Sequence, residues 1–266
     1  MPFVETNGVR LSYATAGAGE PVLLIMGTGA SGQAWTMHQT PALHRAGYRT
    51  IVFDNRGVPP SDAPAGKYSM ADLTADTAGL IEALDLAPCR IVGTSLGAMV
   101  AQELAVAAPG LVRCAVLLAT RARTDVTRSA LAAAERSLSE GAVRLPPVYA
   151  AAVAAQQMFS PATLNADAEA ATWLELFELT GGGLGAGGQA WVETGQDRRA
   201  ALAAVTAPCR VIAFADDLIT PPHLAREVAE AIPDCDYVEL ADCGHLGHLE
   251  QPDAVNAAIV DFLDAH

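Results

Sequence analysis

Apolar residues recur along the chain in two rhythms. Short, near-continuous runs appear at Pro21 to Met26 (PVLLIM), Tyr48 to Asp54 (YRTIVFD), Cys89 to Thr94 (CRIVGT), Arg113 to Thr120 (RCAVLLAT), Cys209 to Asp216 (CRVIAFAD) and Cys235 to Asp242 (CDYVELAD). Runs without polar alternation predict strands buried on both faces, as in a parallel sheet covered by helices on both sides. Between them the spacing lengthens to a helical period. Leu73, Leu80, Ile81 and Leu84 share one stripe, with Ser69 ahead as a cap, acidic residues opposite and Pro88 beyond the end. Leu96, Met99, Val100 and Leu104 mark a second helix that stops near Pro109, and Val255, Ile259, Phe262 and Leu263 mark another. Ahead of them all, FVETNGVRLSYATAG alternates around Asn7-Gly8, the signal of a tight β-hairpin. Together these elements predict an α/β fold, a doubly wound, mostly parallel open sheet with right-handed crossovers.

One interval breaks the rhythm. From Arg121 to Ala204 there is no strand-like run; the segment is alanine-rich and helical in character, with aromatics at Tyr149, Phe159, Trp173, Phe177 and Trp191. The chain is therefore read as a first core part, 1–120, a helical insertion, 121–204, and a second core part, 205–266. The insertion is expected to form a lid over the carboxyl edge of the sheet, where open α/β folds bind their ligands. Its glycine cluster, GGGLGAGG from Gly181 to Gly188, lacks the preceding strand and the following Lys-Ser or Lys-Thr of a phosphate loop. A flexible hinge or tip in the lid is the expected role.

Composition narrows the partners. The 266 residues, 51% of them apolar, suffice for one large domain with a small inserted subdomain. Acidic residues outnumber basic ones 30 to 16, for a formal charge of −14. Such a surface repels phosphate backbones and anionic membranes, so the expected partner is a small-molecule substrate, with neither nucleic acid nor membrane. The first residues show no basic segment followed by an apolar stretch, and no run approaches the roughly 20 apolar residues of a membrane span, so a cytoplasmic protein is expected. Five cysteines without C-x-x-C spacing predict reduced thiols rather than disulfides or a zinc site.

Candidate chemistry centres on Gly93-Thr94-Ser95-Leu96-Gly97, which joins a predicted strand to a predicted helix. A sharp turn there strains the central residue, and the flanking glycines keep Cβ atoms out of the tight space. It would also raise the serine hydroxyl at a helix amino terminus, where the dipole favours developing negative charge. Alone, the pattern fits a helix cap equally well. A serine nucleophile needs a base, and the base needs an acid to fix its tautomer. The best base is His245 in ADCGHLGHLEQPD and the best acid Asp217 in AFADDLITPP, each directly after a predicted strand and so on the same sheet edge as Ser95.

With these residues in the order nucleophile, acid, histidine, the chain resembles the α/β-hydrolase family over essentially its whole length. The resemblance implies an eight-stranded, mostly parallel sheet with a helical lid. The family's G-x-x-D-x-x-x-P stretch falls on Phe214 to Pro221 and selects Asp217 over Asp216. Its G-H-x-x-x-x-E-x-P stretch falls on Gly244, His245, Glu250 and Pro252, which leaves His248 as a supporting or lid-facing residue. The oxyanion donors it implies are the backbone amides of Leu96 and of Thr28, in the loop Met26-Gly27-Thr28-Gly29. The D-x-R-G-x-G-x-S segment appears as Asp54 to Ser61, read as a structural loop that includes Arg56. Three positions depart from the family's pattern: Met26 for the usual histidine, and Pro59 and Phe214 for usual glycines. Pro59 is expected to alter the loop's path near the pocket, and Phe214 to shift the approach of Asp217.

The activity implied is hydrolysis of an ester, lactone or thioester of a mostly apolar small molecule through an acyl-enzyme, with no metal or organic cofactor. The family also holds carbon-carbon bond hydrolases and cofactor-free haloperoxidases, and a non-hydrolytic lyase or cyclase using the same pocket is the alternative from another class. The alanine-rich composition resembles that of actinobacterial proteins, which by analogy points to secondary metabolism.

Overall fold

The computed structural model describes residues 1–180 and 187–266. β1 (Phe3–Thr6) and β2 (Val9–Gly17) pair antiparallel with Thr6 opposite Val9, so Asn7 and Gly8 alone make the turn. Both have positive φ, 47° and 75°, as a two-residue type I′ turn demands. The other strands are β3 (Pro21–Ile25), β4 (Arg49–Phe53), β5 (Cys89–Thr94), β6 (Val112–Leu118), β7 (Cys209–Phe214) and β8 (Cys235–Leu240). They form one eight-stranded sheet in the order β1-β2-β4-β3-β5-β6-β7-β8. β2 runs antiparallel to β1 and β4, and every other neighbouring pair is parallel.

The helices are α1 (Gln39–Arg45), α2 (Met70–Ala83), α3 (Leu96–Ala107), α4 (Val126–Glu140), α5 (Pro147–Met158), α6 (Pro161–Leu164), α7 (Asp167–Thr180), α8 (Arg199–Leu202), α9 (Pro222–Ala231), α10 (Gly247–Glu250) and α11 (Pro252–Ala265). The apolar runs lack alternation because both sheet faces are covered. Leu23, Ile25 and Ile91 pack with Leu73 and Leu80 of α2 and Leu104 of α3. Val22, Leu24 and Val92 pack on the other side with Leu43 of α1 and Val255, Ile259 and Phe262 of α11. β8 departs from the expectation of burial on both faces. It is the edge strand, with Asp236 and Glu239 exposed and its remaining residues half-buried, and such charges discourage pairing with another chain.

α2 also departs from its predicted pattern. Ser69 and Asp72 form a capping box, Ser69 Oγ accepting from the Asp72 amide at 3.1 Å and Asp72 Oδ2 from the Ser69 amide at 2.9 Å. Asp76, however, lies on the buried stripe rather than opposite it, because Arg56 Nε and Nη2 donate to its two carboxylate oxygens, each at 2.5 Å.

Between β6 and β7 the described residues contain no strand. α5 and α7 enclose a separate small core of Ala151, Ala154, Ala155, Phe159 and Phe177, with the Phe159 and Trp173 ring centroids 4.8 Å apart. Most of the glycine cluster, residues 181–186, lies outside the described residues, and with it the expected hinge.

The strand order places the site. The chain passes from β3 to β4 on one side, then crosses back over β3 to β5 and continues the other way. The loops that follow β3 and β5 therefore meet where the winding reverses, the point at which open α/β sheets leave a crevice.

Candidate active site

Ser95 occupies the turn from β5 into α3 with φ 54° and ψ −120°, a conformation that L residues rarely adopt. The flanking glycines are required by close approach. A Cβ at Gly93 would lie 2.6 Å from the carbonyl oxygen of Gly97, and one at Gly97 would collide with that of Ile25. Although Ser95 precedes α3, its side chain makes no capping bond to the helix. The hydroxyl instead donates to His245 Nε2 at 3.0 Å. The helix-cap alternative therefore fails on geometry.

His245, in the loop after β8, is buried and donates from Nδ1 to Asp217 Oδ2 at 2.8 Å. That tautomer is the one that serves both contacts at once. Asp217, in the loop after β7, is held from four directions. Oδ1 accepts from the amides of Ile219 (2.7 Å) and Thr220 (2.8 Å), and Oδ2 accepts from Thr220 Oγ1 (2.7 Å) as well as from the imidazole. Burial on its own would raise the Asp217 pKa, but the charge of His245 and these hydrogen bonds outweigh it and hold the carboxyl below its ordinary range. Asp216 is half-buried, and its amide donates to the Cys243 carbonyl.

Phe214 does not displace the acid. Its ring is fully buried beneath Gly247, where any Cβ would lie 2.5 Å from it, so the missing side chain at 247 makes room for the extra ring at 214. Pro59 and Pro60 are exposed, at the centre of a turn that the Ser61 amide closes by donating to the Val58 carbonyl at 3.0 Å. His248 does not face the insertion. It is buried beside Trp35, with ring centroids 5.4 Å apart, and its carbonyl accepts from Gln39 Nε2 at 2.8 Å.

The loop after β3 runs directly beside the serine, such that a Cβ at Gly27 would lie 3.2 Å from Ser95 Cβ. Among the described residues, neither the Thr28 amide nor that of Leu96 donates to a protein acceptor. The Leu96 amide opens α3 directly after Ser95, and Thr28 follows Gly27 in the neighbouring loop. Two supporting residues escaped the sequence reading: Thr220, whose position three after Asp217 could have signalled it, and Gln189, which nothing nearby marks. Gln189 Oε1 accepts from the Gly29 amide at 2.8 Å.

Among the described residues, no group of three or more His, Cys, Asp or Glu side chains could hold a metal ion. No helix among them is long and apolar enough to cross a membrane. The five cysteines are unpaired; burial pushes the Cys114 thiol up to about 11 and Cys89, Cys235 and Cys243 to about 12. A cavity of about 740 Å³ opens between α2, α3 and residues 191–198, with Met99, Gln102 and Arg121 in its wall, but Ser95 does not line it.

Comparison with known proteins agrees with this geometry. The model of the alpha/beta hydrolase family matches residues 22–258. The chain is 44% identical to "Putative non-heme bromoperoxidase BpoC" of Mycobacterium tuberculosis over 96% of this chain and 97% of that protein. The crystal structure of that relative superposes with a TM-score of 0.91 over 96% of both chains. "Putative carbamate hydrolase RutD" of Variovorax paradoxus is 30% identical over 92% of each chain. The enol-lactonase of Burkholderia xenovorans LB400, 27% identical, superposes with a TM-score of 0.81 over 99% of this chain and all of that one. The chain belongs to the alpha/beta hydrolase family, a family of enzymes whose members here include hydrolases by name.

Proposed function

We propose that the chain is a serine hydrolase that cleaves an ester, lactone or thioester of a mostly apolar small molecule through an acyl-enzyme. The observation that carries this reading is the unbroken line from Ser95 Oγ to His245 Nε2 (3.0 Å) and from Nδ1 to Asp217 (2.8 Å). His245 Nε2 takes the hydroxyl proton as Ser95 attacks the substrate carbonyl, and the Leu96 and Thr28 amides hold the oxygen as it becomes an anion. His245 then gives the proton to the leaving alcohol or thiol. A water, deprotonated in turn by His245, releases the acid and restores Ser95. Asp217, ionised and fixed, keeps Nδ1 protonated and stabilises the imidazolium. Residues 121–204 act as the lid over this crevice, and their alanine-rich sequence suits an apolar acyl group.

The test is a panel of acyl esters, lactones and acyl thioesters of graded size, run on wild type and Ser95→Ala together. Turnover by wild type and a loss of several powers of ten in the variant supports the reading. Undiminished turnover by Ser95→Ala rejects it.

The 44% identical relative named as a bromoperoxidase favours one second reading. Hydrogen peroxide in place of water would convert the same acyl-enzyme into a peroxycarboxylic acid and free Ser95. The peracid, bromide and a proton would then give the carboxylic acid and hypobromous acid. Bromination of a phenol that needs an acyl donor, peroxide and Ser95 together identifies this outcome.

A further inference from the structure

We infer that Gln189 is a positioning residue for the oxyanion loop, a role that rests on the reading of Thr28 as an oxyanion donor. The loop after β3 must hold the Thr28 amide within hydrogen-bond reach of an oxygen bound beside Ser95, and Met26 stands where the family's histidine usually does. Four hydrogen bonds secure it. Asp54 Oδ1 accepts from Ser31 Oγ at 2.7 Å and from the Gly32 amide at 2.9 Å, while Asn55 Nδ2 donates to the Met26 carbonyl at 3.2 Å. These fix the two ends of the loop. The tie at its centre comes from far along the chain: Gln189 Oε1 accepts from the Gly29 amide at 2.8 Å, and Gln189 Nε2 donates to the Arg56 carbonyl at 2.6 Å.

The bond to Gly29 fixes the peptide plane that follows the Thr28 Cα, and the Asn55 bond fixes the plane that precedes the Gly27 Cα, so the plane between them, which carries the Thr28 amide, is held from both sides. Gln189 is itself held. It is 3% exposed, and next to it Gly188 packs so closely that a Cβ would lie 2.5 Å from the Tyr68 ring and 2.7 Å from the Gly66 carbonyl oxygen. The Tyr68 amide donates to the Gly188 carbonyl at 3.1 Å, and Lys67 Nζ lies 3.7 Å from the centroid of the Trp191 ring. At the other end, Arg56 is anchored to Asp76 of α2. A rigid chain therefore runs from α2 through Asp76, Arg56 and Gln189 to Gly29. The Gln189 carboxamide accepts from Gly29 with one atom and donates to Arg56 with the other, both at neutral pH. A carboxylate accepts from Gly29 but cannot donate, and it adds negative charge behind the oxyanion.

The experiment compares wild type, Gln189→Ala and Gln189→Glu by kcat and KM on an activated p-nitrophenyl ester, by the rate of labelling with a fluorophosphonate, and by Tm. In Gln189→Ala, kcat and the labelling rate are expected to fall by about 10- to 100-fold with KM changed less than about twofold, because a donor displaced by an ångström is lost mainly in the transition state. In Gln189→Glu, the ratio of its kcat to that of wild type is expected to rise as pH falls, since a protonated carboxyl again both donates and accepts. A structural role alone would move Tm and leave that ratio flat. Equal labelling of wild type and Gln189→Ala, or a pH-independent ratio for Gln189→Glu, overturns this inference alone. Absence of labelling in wild type overturns the nucleophile reading and this inference with it.

Discussion

The Glu250 carboxylate accepts from the amide of Gly244, the residue before His245, at 2.6 Å. Its other oxygen accepts from the Ser160 amide (2.8 Å), Ser160 Oγ (2.7 Å) and Thr163 Oγ1 (2.7 Å). One side chain thus ties the histidine loop to α6. Glu250→Ala leaves these donors without their acceptor and is expected to cost about 2–3 kcal/mol, because unmet donors to a charged acceptor are expensive. A thermal melt should show Tm lower by several degrees, with kcat reduced as His245 loses its anchor. An unchanged Tm would count against this account of the loop.

The backbone at Ser95 is under strain, with φ 54° and ψ −120°. A conformation of this kind costs a non-glycine residue about 1–3 kcal/mol. Glycine relieves the strain but adds about 0.5–1 kcal/mol of unfolded-state freedom. Ser95→Gly and Ser95→Ala both remove the hydroxyl, so their difference isolates the backbone. Urea unfolding should show the glycine variant more stable by about 0.5–2 kcal/mol. Equal stability, or a more stable alanine variant, would mean the strain is not there.

His248 should make the fold acid-sensitive. Burial, with the nearby charges of His245 and His38, pushes its imidazole down from 6.5 to about 3. Among the described residues neither ring nitrogen has a hydrogen-bond partner. The unfolded chain takes up this proton as pH drops through 6.5, whereas the folded one resists it until about 3, so stability falls with pH across that window. At about 1.4 kcal/mol per pH unit, the loss reaches about 2 kcal/mol by pH 5. Asp217, whose carboxyl is held low, contributes stability above its ordinary value of 3.8 and loses it only below that. His248→Phe keeps a ring against Trp35 and should flatten the plot of stability against pH between about 6.5 and 4. An unaltered slope would assign the acid sensitivity elsewhere.

The Arg56–Asp76 pair should resist single substitution more than double. Asp76→Ala strands a buried guanidinium and is expected to cost about 3–5 kcal/mol, while Arg56→Leu with Asp76→Leu should cost less than either change alone. Denaturant midpoints of Arg56→Leu, Asp76→Leu and the double variant measure this directly. Near-additive losses would show that the pair is a minor anchor.

Much of this could be read from the chain before folding was considered. The hairpin at Asn7-Gly8, the six apolar runs and the capping by Ser69 are local signals, each contained within a few residues. The alignment of Ser95, Asp217 and His245 was legible because the sheet brings the ends of its strands to one edge, whatever the length of chain between them. The misread elements are those settled by distant contacts. β8 carries the apolar spacing of a buried strand, but its place at the sheet edge is a property of topology. Asp76 has the spacing of an outward acid, and only the Arg56 guanidinium, 20 residues away, turns it inward. Gln189 is 160 residues from Gly29, and no local pattern around a glutamine announces such a partner. Phe214 reads locally as a threat to the acid loop because its compensating Gly247 lies on another element.

The central claim is that Ser95 attacks a carbonyl and carries the acyl group. Its most direct test is intact-mass spectrometry of the folded protein after exposure to a fluorophosphonate, with the modified peptide mapped and Ser95→Ala treated in parallel. The account predicts one adduct per chain, located on Ser95 and absent from the variant. An unmodified wild-type protein, or an adduct that persists in Ser95→Ala, would contradict it.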